Sequence, residues 1–312
     1  MRMSAAILIG VLVLLAALSG CAALRAEKKS PPIGAFIETG GERIHLVDLA
    51  PAGGGTGAPI VLIHGASVNL RDMKLALGDE LAKSRRVIVV DRPGRGYSTR
   101  PKDGYRLETQ ARLIHDAVGS LGVRDPVIVG QSLGGAVALS YALQYQDDMA
   151  GLVLLAPVSH EWPGGVAWYN KVSGWPVAGF LFRRLIIPLY APLAAKKGVE
   201  GSFGPDEAPQ RYYEESGLPL LFRARDFKAN AEDLRRLKPQ IIEQSRRYAG
   251  IATPTVIFAG DDDRTVSPKL HAMRLATEIP GARLELLAET GHALHHAESA
   301  RIIEAIEALA GD

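Results

Sequence analysis

The sequence predicts an α/β protein: a mostly parallel sheet with helices on both faces and one helical insertion. Three observations carry that expectation. Continuous β-branched and aliphatic runs alternate with helical patterns, which is how strands buried on both faces read. Between Pro157 and about Tyr248 the alternation stops, and all three tryptophans, Trp162, Trp168 and Trp175, fall in that stretch. A glycine-flanked serine, Gly130-Gln131-Ser132-Leu133-Gly134, stands where an apolar run, Val127-Ile128-Val129, gives way to a helical pattern.

The chain has 312 residues, enough for one large domain with an inserted lobe. Its 47% hydrophobic and 22% charged residues exclude a disordered chain. The net charge of +2 falls to +1 when the first twenty residues, with Arg2, are removed, which argues against nucleic acid as a partner.

The first elements lie outside the sheet. Met1-Arg2-Met3 is a short positive region, and Ala5 to Leu18 is almost unbroken apolar sequence, the pattern of a signal peptide or a short membrane anchor. Leu18-Ser19-Gly20-Cys21 follows, and Cys21 is the chain's one cysteine. It cannot form an internal disulfide. The segment resembles the lipobox of bacterial lipoproteins, and the resemblance implies a signal peptide over 1–20 and lipidation of Cys21. The chain would then be anchored in the bacterial cell envelope. Ala22, in place of Asp, leans toward the outer membrane by the same resemblance. Residues 21–33, with Pro31-Pro32 and no apolar period, read as a tether reaching at most about 40 Å.

The folded part divides into a core, 34–156 and 250–312, and a cap, 157–249. Ala35-Thr39 and Arg43-Asp48, split by Gly40-Gly41, predict a hairpin. The glycine-rich stretch 51–57 is a loop, since no Gly-Lys-Ser/Thr follows and a strand comes next. Strands are expected at Ile60-Ile63, Val87-Val90, Val127-Val129, Leu152-Leu155, Thr255-Phe258 and Leu284-Leu287. Helices are expected at Leu70-Lys83, Leu107-Leu121, after Ser132, and at Ala297-Leu309 with Ile302, Ile303 and Ile306 on one face. The cap leaves and re-enters on the carboxyl edge of the sheet, where such sheets bind ligands. Its aromatic residues either form its own core or line a site for an apolar substrate. Trp175 to Ala195 is apolar, but Arg183-Arg184, Pro188 and Pro192 argue against a membrane span and leave a segment suited to lie on a bilayer.

Ser132 reads as a nucleophile, because a strand, a sharp glycine-bounded turn and a helix push the hydroxyl outward. A serine needs a base, a group to orient it, and donors for the oxyanion. His292, in Thr290-Gly291-His292 just past a strand, is the expected base; His295 and His296 read as surface or capping residues. Gly260-Asp261-Asp262-Asp263 follows another strand, and Asp263 is the expected orienting acid, because the loop needs a few residues to turn back. A metal site on the three adjacent aspartates is disfavoured, since neighbouring carboxylates rarely converge. The expected oxyanion donors are the N–H groups of Leu133 and of Ala66, in His64-Gly65-Ala66 after Ile60-Ile63. His64 is expected to brace that loop. Asp91 to Ser98, rich in Gly with one Pro, is expected to be a scaffold turn.

Together these pieces resemble the α/β-hydrolase family from about Phe36 to the carboxyl terminus, excluding the cap. The resemblance implies the α/β-hydrolase fold with an eight-stranded sheet and a triad of Ser132, Asp263 and His292. It also implies hydrolysis of an ester or related acyl bond in a small or lipid-like substrate, with no cofactor. Serine at 132 argues against haloalkane dehalogenases and most epoxide hydrolases of this fold, whose nucleophile is aspartate. Thioester or carbon–carbon hydrolysis, acyl transfer and perhydrolysis use the same triad, and a non-enzymatic ligand-binding lipoprotein is the remaining alternative.

Overall fold

A computed structural model describes residues 2–51, 53 and 55–311. Eight strands form one sheet: β1 Ala35–Thr39, β2 Glu42–Leu49, β3 Ile60–Ile63, β4 Val87–Val90, β5 Val127–Gln131, β6 Gly151–Leu155, β7 Thr255–Gly260 and β8 Arg283–Leu287. Their spatial order is β1-β2-β4-β3-β5-β6-β7-β8. The first hairpin is antiparallel, β2 is antiparallel to β4, and every pair from β4 to β8 is parallel. Gly40 and Gly41 both hold positive φ, 57° and 79°, between the paired Thr39 and Glu42, as a two-residue hairpin turn requires. The glycine-rich stretch after β2 includes Ala52 and Gly54, which lie outside the described residues.

The strands β3 and β4 are apolar at every position because both faces are covered, and the period of two divides each central strand between two cores. Val61, Ile63, Ile88, Val90 and Ile128 pack on one face, with Leu113 and Ile114 of α3 (Leu107–Ser120) and Val137 and Leu139 of α4 (Leu133–Tyr145). Ile60, Leu62, Val87, Val89, Val127 and Val129 pack on the other, with Leu77 and Leu81 of the helical run 70–81, and with Ile302 and Ile306 of the last helix, Ser299–Ala310. The helix predicted at 70–83 forms, but widens to a π turn over Lys74–Gly78.

Between β6 and β7 the chain leaves the sheet. It forms a short helix, Trp168–Ser173, then a long apolar one, α5 (Val177–Phe203, with a π turn at Phe182–Ile186), then α6 (Ala224–Ser245). A buried polar network docks α6 on the core. Arg92, fully buried after β4, donates to Asp233 at 3.0 Å and to Gln110 at 2.8 Å. Arg100 reaches the other oxygen of Asp233 at 2.7 Å, and Arg95 donates to the Asp226 carbonyl at 2.7 Å. The turn after β4 is thus the scaffold on which the insertion rests.

The amino-terminal segment differs from its expected form. One helix, α1, runs Arg2–Lys29 through Cys21, so residues 22–29 are helical rather than an extended tether. Its last turns are tied down. Glu27 pairs with Arg223 at 2.9 Å, the Ser30 carbonyl accepts from Tyr97 at 2.7 Å, and the Pro31 carbonyl accepts from Arg71. Charged sequence without apolar period reads as linker; here one of its charges, Glu27, and two backbone carbonyls make the docking contacts.

Candidate active site

Ser132 sits between β5 and α4 with φ 54° and ψ −117°, a conformation that costs a non-glycine residue roughly 1–3 kcal/mol. Tight packing on both sides holds it there. A Cβ on Gly130 would lie 2.7 Å from the Ala138 methyl, and one on Gly134 would lie 2.5 Å from the His64 carbonyl oxygen. Strand and helix therefore approach with no room for side chains at either glycine, and the serine takes the strained corner between them. Its N–H donates to Leu155 across the sheet at 2.8 Å.

The loop after β3 comes close to this corner. A Cβ on Gly65 would meet the Gln131 side chain and lie 3.2 Å from Ser132 Cβ. His64 braces that loop: its Nδ1–H donates to the Gly65 carbonyl at 2.8 Å and its Nε2 accepts from the Arg92 N–H at 3.1 Å. Burial, with the adjacent Arg92 guanidinium, pushes the His64 pKa down to about 3. Among the described residues the N–H groups of Ala66 and Leu133 donate to no acceptor of the chain, and both residues line the cavity that Ser132 faces.

Asp263 follows β7 and His292 follows β8. One carboxylate oxygen of Asp263 accepts the Thr265 and Val266 N–H groups at 2.7 and 2.8 Å, which fixes the carboxylate. The other lies 2.7 Å from His292 Nδ1, and both residues are buried. This contact fixes the tautomer, with the proton on Nδ1 and a lone pair on Nε2. Asp261 and Asp262 point to solvent, so the three aspartates do not converge. Gly291 is required for a reason other than turning: a Cβ there would collide with the Gly204 carbonyl oxygen, just past the end of α5. The same loop is tied to the insertion by Ala293 N–H donating to the Ser202 carbonyl at 3.0 Å.

Ser132, Asp263 and His292 line one cavity of about 1280 Å³, roofed by residues of the insertion. No hydrogen bond joins His292 to the Ser132 hydroxyl among the described residues; His292 Nε2 lies 3.4 Å from the Gln131 amide nitrogen. Two of the roof's aromatics, Phe222 and Phe227, both pack with Ile187 in its own core and face the cavity.

Two features were not legible in the sequence. His271 lines the cavity, and its Nδ1 accepts the N–H groups of Ser159 and His160 at 3.2 and 3.1 Å. Burial pushes its pKa down to about 4. His295 and His296 are not surface residues. Their Nε2 atoms lie 2.8 and 3.1 Å from Asp72, which also accepts from the Tyr212 hydroxyl at 2.8 Å. Burial opposes charge on Asp72, but His295 and His296 hold its carboxyl well below the usual range. With three donors the carboxylate is satisfied, and the cluster pins the helical turn just after His292 to both core and roof.

A mostly parallel sheet, a strained serine corner at its centre and an Asp–His pair at the same edge define the class of protein. The chain belongs to the alpha/beta hydrolase fold family, whose match covers residues 58–299. It is 29% identical over 302 residues to a 2-hydroxymuconate semialdehyde hydrolase of Pseudomonas putida, covering 90% of this chain and 96% of that protein. It is also 29% identical over 249 residues to monoacylglycerol lipase abhd6-A of Xenopus laevis, covering 77% of this chain and 71% of that protein. Among solved structures it resembles the esterase EaEST of Exiguobacterium antarcticum, with a TM-score of 0.69 and 24% identity over 88% of this chain and 98% of that one.

The buried neutral histidines set a pH dependence. His64 and His271 titrate at about 3 and about 4 in the folded chain and near ~6.5 unfolded. The unfolded state binds more protons in between, so their contribution is complete above pH ~6.5 and is lost as pH falls toward their folded values. The urea midpoint should fall between pH ~6.5 and ~5, before carboxylates titrate. In His64→Gln that slope should flatten. An unchanged slope would contradict a neutral, buried His64.

Proposed function

We propose that the chain is a serine hydrolase that cleaves an ester or related acyl bond through an acyl-enzyme. The observation that carries this reading is the 2.7 Å Asp263–His292 contact, opening onto the cavity that holds the strained Ser132. His292 Nε2 takes the Ser132 proton as the hydroxyl attacks the carbonyl, and Asp263 stabilises the imidazolium that forms. The free N–H groups of Ala66 and Leu133 receive the developing oxyanion. His292 returns the proton to the leaving alcohol, then activates water to release the acyl group. The step requires the imidazole to turn from Gln131 toward Ser132. Such contacts commonly tighten only when substrate fills the site.

The cavity's size and its aromatic and aliphatic roof support an apolar, acyl-bearing substrate. A second reading, hydrolysis of a carbon–carbon bond, is supported by the semialdehyde hydrolase relative, which matches almost end to end. The purified chain should react with a fluorophosphonate probe, and Ser132→Ala should abolish labelling and lower ester turnover by roughly 10⁴- to 10⁶-fold. Labelling that survives in Ser132→Ala would sink the assignment. Turnover of ring-cleavage dienoates but of no p-nitrophenyl ester would favour the second reading.

We also propose that Cys21 carries a lipid anchor and that the protein faces the periplasm of a bacterial envelope, with the outer membrane favoured. Support comes from Leu18-Ser19-Gly20-Cys21 and from the exposure of Cys21 on α1. Growth with an alkynyl fatty acid should label the protein, and Cys21→Ser should remove the label. Equal labelling of both would contradict the anchor.

A further inference from the structure

The longest apolar element of the roof is only half used by the fold. Leu185, Ile187, Val199 and Phe203 of α5 are buried, and the Phe203 ring packs 4.9 Å from Tyr212 and 5.2 Å from His296. The opposite side is bare. Val177 and Leu193 are 74% and 80% exposed, and Phe180 and Leu181 are exposed between them. Trp175, just before the helix, is 56% exposed. Isolated exposed apolar residues are ordinary, but a contiguous face of this kind marks a binding surface.

Charge identifies what covers it. From Trp162 to Val199 there is no Asp or Glu, while Lys171, Arg183, Arg184, Lys196 and Lys197 all lie in that stretch. Glu200, near the carboxyl end of α5, pairs with Lys196 at 3.7 Å, so α5 keeps an excess of three positive charges over its length, and an apolar face with that balance suits an anionic lipid surface. The side of α5 packed into the protein, together with Arg184 and Pro192, is incompatible with a helix that crosses the bilayer. It lies on the membrane instead.

The amino-terminal helix places the membrane near α5. α1 packs against α5 and the turn at Phe182–Ile186, with Ser19 and Ala26 buried there. Val11, Val13, Leu14 and Leu18 remain exposed, and the run Gly10–Lys29 is apolar enough to enter a bilayer. Acyl chains on an exposed Cys21 would enter at the same place. Either form of anchor therefore holds the lipid surface close to α5.

We infer that the roof is a membrane-docking surface: the outer face of α5, with Trp168 and Trp175, rests in the headgroup layer of an anionic bilayer. Trp168, Ile186 and Tyr190 are exposed and also line the cavity. On the hydrolase reading, its mouth therefore opens toward lipid rather than toward water.

The chain's three tryptophans all lie in this roof, so its intrinsic emission reports the contact directly and does not depend on catalysis. The full chain is bound to vesicles of phosphatidylcholine and phosphatidylglycerol whose acyl chains carry bromine, a contact quencher. Emission should fall by roughly half relative to the same vesicles without bromine, as expected for rings at the headgroup–acyl boundary. The double variant Val177→Glu, Leu193→Glu keeps α1 and changes two exposed positions that do not line the cavity. It should co-float with the vesicles and recover most of the emission. Equal emission with and without bromine, in protein that co-floats, would overturn the proposal: the anchor would be in the bilayer and the roof away from it. The same emission from a chain that light scattering shows as a dimer would overturn it in favour of a second copy covering this face.

Discussion

The close passage of β5 and α4 at Ser132 is the constraint on which the rest depends. With no side chain tolerated at Gly130 or Gly134, the corner residue must take positive φ and present its side chain to the cavity. The sheet makes this a fixed point, because the Ser132 N–H is bonded across to β6 and the β3 loop abuts it at Gly65. Strain at that corner is sustained by a core buried on both faces of the sheet. The local cost is small against the burial of β3 to β7, whose residues are almost all fully buried.

Polar networks then register the other parts to that corner. His64, neutral and buried, ties the β3 loop to the turn after β4, and Arg92 of that turn reaches Asp233 of the roof. Asp72 does the same at the opposite end, gathering Tyr212 of the roof with His295 and His296 beside His292. Movement of the roof is thereby coupled to both the candidate oxyanion loop and the candidate base. Those buried charges are costly unless every partner is present, which makes the roof an integral layer rather than an appended flap.

The eight strands were legible because each is a short apolar run and no competing helix period overlaps it. The approach of Ser132, Asp263 and His292 was legible for a topological reason: each follows the carboxyl end of a parallel strand, and such ends share one edge. What sequence could not show depends on partners far along the chain. His295 looks like a helix-capping residue until Asp72, 223 positions away, is brought against it. Residues 22–29 look like linker until Glu27 meets Arg223. Gly291 looks like a turn residue, whereas its necessity lies in the approach of the Gly204 carbonyl from the roof. In each case local composition was read correctly, but tertiary contact decided the outcome.

The central claim is that Ser132, held on its elbow, forms a covalent bond to the acyl group during turnover. Acid-quenching the enzyme in the steady state with p-nitrophenyl butyrate, then mapping peptides by mass spectrometry, tests it most directly. A butyryl adduct on the peptide containing Ser132 of the wild-type chain, absent in Ser132→Ala, is the predicted result. Turnover of the same ester by the wild-type chain with no burst, no adduct on Ser132 and an adduct elsewhere would contradict it.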